Sequence, residues 1–205
     1  MFHVEQAIGL LLPDSDKAHI VQRFNFIKEA YFKWNKTINL SSVRDEQGFW
    51  EKHILDSLCL AGFIKNSGFT GFDILDIGSG GGFPGLVLAS TLNNEITLVD
   101  PIKKKTDFLN HVILRLGLKQ AKVQTGLFED IKDLKNKTLI VSRALGNYKE
   151  LYAHFKAIDN DVSVVVMATE KQDLGVKGVA FNKEYDLINP LIGNSLRGHT
   201  LIKLN

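Results

Sequence analysis

Ile74-Leu75-Asp76-Ile77-Gly78-Ser79-Gly80-Gly81-Gly82-Phe83-Pro84-Gly85 is the stretch on which the fold turns. A short apolar run, residues 74–77, meets a cluster of five glycines, and an apolar segment, residues 86–92, follows at once. The pattern reads as strand, tight turn and helix. Glycine is required where the backbone takes positive φ or where a ligand must come against the main chain, so several in one turn make a cradle. Pro84 suits the first turn of the following helix, where its missing N–H costs nothing.

Two kinds of nucleotide cofactor use such a turn. Gly80, Gly82 and Gly85 fit the G-x-G-x-x-G spacing of a dinucleotide site, and Asp100, twenty residues after Gly80, could hold a ribose hydroxyl. Asp76-Ile77-Gly78-Ser79-Gly80, in contrast, resembles D-x-G-x-G, the first motif of class I S-adenosylmethionine-dependent methyltransferases. An acid two positions before the first glycine suits a ligand with an ammonium and a sulfonium better than a pyrophosphate. Asp100, closing the apolar run 96–99, then serves as a carboxylate acceptor for both ribose hydroxyls. The plainer alternative is that both aspartates are strand-end turn residues.

At 205 residues and 44% hydrophobic composition, the chain is long enough for one well-buried domain and short for two. The lone cysteine, Cys59, cannot close an internal disulfide and lies in an apolar, helix-like stretch, where a buried structural thiol is expected. Residues 1–5 lack a basic signal-type start and no apolar run reaches membrane-spanning length, so a cytoplasmic location is expected. The six histidines show no metal-ligand spacing, and no metal site is expected. Net charge is only +2 but is unevenly spread. Residues 1–66 hold eight Lys or Arg against eight Asp or Glu, whereas residues 101–149 hold eleven against four. That local excess suits a polyanionic partner or, equally, a solvated lysine surface.

Asp14-Ser15-Asp16 offers a helix N-cap, after which Ile20, Val21, Phe24, Ile27, Tyr31 and Trp34 recur at helical spacing. Phe49, Trp50, His53, Ile54 and Leu58 suggest a second helix ending near Gly62. The pattern divides the chain into a helical N-terminal extension, residues 1–67, packed on the core, and a Rossmann-like domain, residues 68–205. From Phe72 onward short apolar strands alternate with helices, the signature of an α/β fold with a mostly parallel sheet covered on both faces. Strands are expected at 74–77, 96–99, 121–124, 139–142 and 162–168, with helices near 86–92, 103–116 and 147–158. Residues 181–188 and 200–204 then read as a terminal antiparallel pair, making a seven-stranded sheet. Asp76, Asp100, Glu129 and Arg143 all follow strands and so can converge on one mouth.

Four motifs occur in order: Trp34-Asn35-Lys36-Thr37-Ile38-Asn39-Leu40-Ser41-Ser42-Val43-Arg44-Asp45, His53-Ile54-Leu55-Asp56-Ser57-Leu58, the glycine stretch, and Ser142-Arg143-Ala144. Together they closely resemble the bacterial 16S ribosomal RNA guanine-N7 methyltransferases, the glucose-inhibited division protein B family. The resemblance implies a class I methyltransferase fold with S-adenosyl-L-methionine as cofactor. It also implies methylation of one guanine at N7, nucleotide 527 of 16S rRNA; the expected partner is that rRNA in the small subunit or its assembly intermediate, and a monomer is expected. Carried over by motif, Gly78 and Phe83 join Asp76, Gly80 and Asp100 as cofactor contacts, Phe128 and Glu129 stand at the adenine end, and Arg143 belongs to the cofactor pocket. The alternatives are a surface acid for Glu129 and a phosphate or salt-bridge partner for Arg143. The chain departs from the family after the fifth strand, where Leu-Lys-Gly is replaced by Val166-Met167-Ala168-Thr169-Glu170-Lys171, and up to Asn182 the sequence looks irregular.

Guanine N7 carries a lone pair and no proton, so its methylation needs no general base, and no nucleophile and base set stands out. No catalytic residue is therefore assigned, and the rate is expected from alignment and water exclusion. N7 lies on an edge that side chains cannot reach in A-form RNA, so the base must be looped or flipped out. Lys36, Arg44, Lys103, Lys104, Lys105 and Arg197 are candidate RNA contacts, with a solvated surface as the alternative. His53 and Asp56 either face the cofactor mouth or form an interhelical pair. A nicotinamide-dependent oxidoreductase and a non-catalytic RNA-binding protein are the competing readings. Asp76 and Ser142-Arg143-Ala144 argue against the first, and the intact glycine turn with Asp100 against the second.

Overall fold

The computed structural model describes residues 2–134, 136–159, 161–169 and 172–205, with the side chain of Phe2 excepted. Among these, α1 (Phe2–Leu11), α2 (Lys17–Ile38), α3 (Glu46–Phe49), a π-helical turn (Trp50–Leu55) and α4 (Asp56–Asn66) come first. Then follow β1 (Asp73–Ile77), α5 (Gly85–Thr91), β2 (Ile96–Asp100), α6 (Lys103–Leu116), β3 (Ala121–Thr125), β4 (Thr138–Arg143), α7 (Tyr148–Ile158) and β5 (Ser163–Thr169). β6 (Gly178–Phe181), α8 (Lys183–Ile188) and β7 (His199–Leu204) close the chain. The strands form one sheet in the order β3-β2-β1-β4-β5-β7-β6. The first five run parallel, and β7 lies between β5 and β6, antiparallel to both.

Asp16 caps α2 by accepting the His19 N–H, and Ile20, Phe24, Ile27 and Tyr31 then recur on its buried face. In the sheet, side chains alternate between faces, and here both faces are covered. Leu139, Val141 and Val165 join the core shared with α1, α2, α4, α5 and α6; Ile140, Val164 and Val166 pack with Tyr148, Leu151 and Phe155 of α7.

Two expectations need correction. Residues 181–188 are not a strand: β6 ends at Phe181, and residues 183–188 form α8 with Glu184, Tyr185 and Ile188 buried. Phe181, Tyr185 and Ile188 satisfy helical spacing as well as they satisfy an apolar run, and contact with α4 decides for the helix. The antiparallel pairing itself is present, with β6 starting earlier, at Gly178. Helix α1 was not expected, because Phe2–Leu11 carries no N-cap or breaker that announces it. Within the divergent stretch, β5 runs through Thr169, while Glu170 and Lys171 lie outside the described residues.

Thr125, Asp100, Ile77, Arg143 and Thr169 end the parallel strands at one carboxyl edge, where Asp100 is paired with Thr125, and His199, paired with Thr169, joins them because β7 runs the other way. Strand order reverses between β1 and β4, with α5 on one face and α7 on the other. A crevice at such a point is where open α/β sheets hold ligands.

Candidate active site

Beyond β1 the chain is tied to β2: the N–H groups of Gly78 and Ser79 both donate to the Val99 carbonyl, at 2.9 and 3.0 Å. The glycines of the turn then divide into two kinds. A Cβ at Gly82 would lie 2.3 Å from Leu86 Cδ1, and one at Gly85 would lie 2.5 Å from Asp76 Oδ2, so these two are glycine for packing. Gly80, with φ +55°, has nothing but backbone oxygens at 3.7 and 3.9 Å near its Cβ position, and its main chain stays open. Gly78, at φ +75°, faces only Leu145 Cδ1, 3.3 Å away on the same measure.

Both aspartates are buried and incompletely used. Asp76 Oδ2 accepts the Gly85 N–H at 2.9 Å, whereas Oδ1 is buried with no partner. Burial pushes this carboxyl up to about 6, against partial relief from its hydrogen bonds. Asp100 accepts the Gly80 N–H on Oδ2 and the Ile102 N–H on Oδ1, each at 2.9 Å, and each oxygen keeps a further lone pair. Ile102 and Leu127, 48% and 52% exposed, stand just past β2 and β3 as apolar rims. Sequence reading missed both, although an apolar residue directly behind a polar strand end is a usable signal. Phe128 is half-buried, edge-on to His154, and Glu129 is exposed.

Arg143, at the end of β4, is held from the other side. It donates to the Lys52 carbonyl at 2.5 Å, to Asp56 Oδ2 at 3.3 Å and to His53 Nδ1 at 3.0 Å. Because Nδ1 accepts from a guanidinium, the imidazole proton sits on Nε2, which donates to Ser41 Oγ at 2.9 Å. The serine hydroxyl donates to the Tyr31 hydroxyl, which donates to the Val43 carbonyl. Burial, with the charge of Arg143, holds His53 down at about 3, so it is neutral. Its ring stacks on Phe83 at 4.3 Å and 5°. Phe83 therefore turns its ring into the extension, 3% exposed. Asp56 also accepts from the Tyr185 hydroxyl at 2.9 Å and from His199 at 3.3 Å. Burial alone would raise its carboxyl, but the His199 hydrogen bond and the charge of Arg143 hold it below the usual value. His53 and Asp56 thus meet through Arg143 at the end of β4 and do not pair with each other across helices, one of their two expected roles.

The basic candidates are dispersed. Lys103 pairs with Asp107, Lys104 is exposed and Lys105 half-buried. Arg197 is exposed beside the start of β7, and Lys36 and Arg44 are exposed beside the loop that crosses the glycine turn. Among the described residues no group of three His, Cys, Asp or Glu is placed to hold a metal, and no helix is long and apolar enough to cross a membrane. A wide cavity of about 840 Å³ lies at the opposite edge of the sheet, lined by Arg23, Gly71, Asn93, Asn94 and Gln120, away from this chemistry.

An unpartnered buried carboxylate oxygen, spare acceptor capacity on Asp100, open backbone at Gly80 and two apolar rims fit an adenosine joined to a cationic amino acid. They fit a pyrophosphate poorly, since Asp76 would face it without a cation. Residues 21–177 match the family model described as GidB, rRNA small subunit methyltransferase G. A protein of that description from Nitrosomonas europaea is 38% identical over 152 residues, covering 72% of this chain and 68% of the relative. One from Marinobacter nauticus is 34% identical over 175 residues, covering 84% and 73%. Among solved structures, a mutant of MtNAS in complex with S-adenosylmethionine aligns with TM-score 0.58 at 14% identity, covering 98% of this chain and 82% of the other, a likeness of fold.

Proposed function

Because this chain belongs to the GidB family and is an S-adenosylmethionine-dependent methyltransferase of small-subunit rRNA, we propose that it methylates N7 of one guanine, nucleotide 527 of 16S rRNA. S-adenosylmethionine, when bound, would supply a methyl group carried on a sulfonium for transfer to N7. Asp76 Oδ1 takes the ammonium end, directly or through one water, and the open backbone of Gly78 and Gly80 lets the amino-acid part lie against the turn. Asp100 accepts from the ribose, with Ile102 and Leu127 flanking the adenine and Phe128 and Glu129 at its far end. Arg143 keeps two N–H groups beyond its three described bonds, and these would be available to the cofactor carboxylate. Phe83 contributes as the anchor of the turn, through its stack on His53.

No side chain has to remove a proton from N7, so the protein acts by alignment and by excluding water. Lys104, Lys105 and Arg197 meet phosphates around the mouth, while Lys103 is partly neutralised by Asp107. The extension, residues 1–67, serves as the RNA-side wall of a cytoplasmic monomer.

The observation that carries this reading is the convergence of unpaired Asp76 Oδ1, half-used Asp100 and open Gly80 at one strand edge. Transfer of labelled methyl groups to small subunits lacking their own modification tests it. Label on a single guanine N7 at nucleotide 527 is expected; label elsewhere, or none, would overturn the assignment.

A further inference from the structure

A second concavity, of about 270 Å³, is lined by Phe32, Asn35 and Lys36 of α2 and by Arg44 of the loop that follows it. Phe32 and Lys36 stand one turn apart on α2 and share a face. Arg44 comes from the loop that crosses the glycine turn. Its guanidinium donates to the Ser41 carbonyl, to Asn39 Oδ1 at 2.6 Å and to the Val43 carbonyl at 3.4 Å. All three acceptors are neutral, so the charge is fixed in place and uncompensated. Lys36 likewise has no carboxylate partner among the described residues. Asn35 spends its amide inward, donating to the Tyr31 hydroxyl and the Val43 carbonyl and accepting the Ser41 N–H, so it builds the floor. Phe32 packs one side on Tyr31 and Phe49, at 5.3 and 5.6 Å, and is half-buried.

Two uncompensated cations beside a partly open aromatic ring suit an anion joined to a flat ring. The cavity is tied to the glycine turn through its floor: Asn35 donates to the Tyr31 hydroxyl, and Tyr31 Cε2 lies 3.4 Å from where a Cβ at Gly81 would stand. We propose that this cavity docks one nucleotide of the unpaired RNA strand that carries the target guanine, its phosphate between Lys36 and Arg44 and its base against Phe32. The proposal rests on the RNA-methylating reading above, and it explains how a base turned out of its helix is held in register with the turn.

The test compares the unaltered protein with Lys36→Gln and Phe32→Leu, using small subunits as methyl acceptor and S-adenosylhomocysteine titration as the control. Lys36→Gln should raise KM for subunits and reduce the salt slope of log KM by about 0.7, the share of one phosphate on a single strand. Phe32→Leu keeps the apolar volume and removes the ring face, so KM should rise roughly tenfold. In both, kcat and affinity for S-adenosylhomocysteine should stay within about twofold. Unchanged KM and salt slope in an active series would overturn the docking site and leave the methylation reading standing. Failure of the unaltered protein to methylate subunits would remove that reading and the docking site with it. Lys36 is exposed, so its variant decides the matter even where Phe32→Leu lowers stability.

Discussion

The two sides of the mouth are built on opposite principles. On the β1–β2 side, Asp76 leaves a buried oxygen unpaired and Asp100 leaves lone pairs unused. On the extension side, Arg143, His53, Ser41, Tyr31, Asp56 and Tyr185 pass hydrogen bonds from one to the next. Unspent polar capacity costs folding stability and persists where a ligand will use it; a satisfied network orders the groups around it. The first side is built to bind, and the second chiefly to hold Arg143 and the loop around it in position.

If that contrast is right, changes on the extension side should appear as lost stability and changes on the β1–β2 side as lost binding. Asp56→Ala should have the largest effect, about 3–5 kcal/mol of unfolding free energy, because the buried Tyr185 hydroxyl and the half-buried Arg143 guanidinium both lose their carboxylate. Urea denaturation measures it, and a loss below 1 kcal/mol would mean the network is not a scaffold.

The pH dependence separates the sides by sign. Folded His53 resists protonation down to about 3, while the unfolded residue takes its proton near the ordinary 6.5. Its contribution is whole above pH 6.5 and lost as pH falls, about 3 kcal/mol by pH 4, a loss that His53→Gln should not show. Asp76, raised to about 6, contributes in the opposite sense: fully below the ordinary 3.8 and progressively less as pH rises through 6. Asp76→Asn should therefore flatten the alkaline-going decline. Equal pH profiles for the parent and both variants would dissolve the distinction.

Asp76→Ala should weaken S-adenosylhomocysteine binding by about 1–3 kcal/mol in calorimetric titration while leaving the unfolding midpoint in place or higher. The smallest effect belongs to Lys103→Ala, whose exposed pair with Asp107 should change stability by less than about 0.5 kcal/mol.

The binding side was legible in the sequence because it is local: Asp76 and the glycines lie within ten residues, and Asp100 ends the next strand. The inner parallel strands β1, β2, β4 and β5 were legible too, since largely buried apolar runs are hard to misread, whereas β3, Ala121-Lys122-Val123-Gln124-Thr125, is a mostly exposed edge strand and was placed by the alternation around it. The holding side was not. Asp56 meets Tyr185 across 129 residues of chain, and that contact lies in a helix that apolar content alone made look like a strand. Motif position left the roles of His53 and Asp56 open, because an inward-facing pair and a cofactor-facing pair have the same spacing. Phe83 shows the same limit: its place in the glycine turn was evident, but the direction of its ring depends on a histidine thirty residues earlier.

The most direct measurement is a crystal structure of the protein with S-adenosylhomocysteine. Our account predicts the ligand across the β1–β2 carboxyl edge, its ammonium reaching Asp76 Oδ1 directly or through one water and its ribose hydroxyls on Asp100, with the Arg143–His53 bond unchanged. A ligand seated in the opposite-edge cavity near Asn94 and Gln120, or one that leaves Asp76 Oδ1 unpaired, would contradict it.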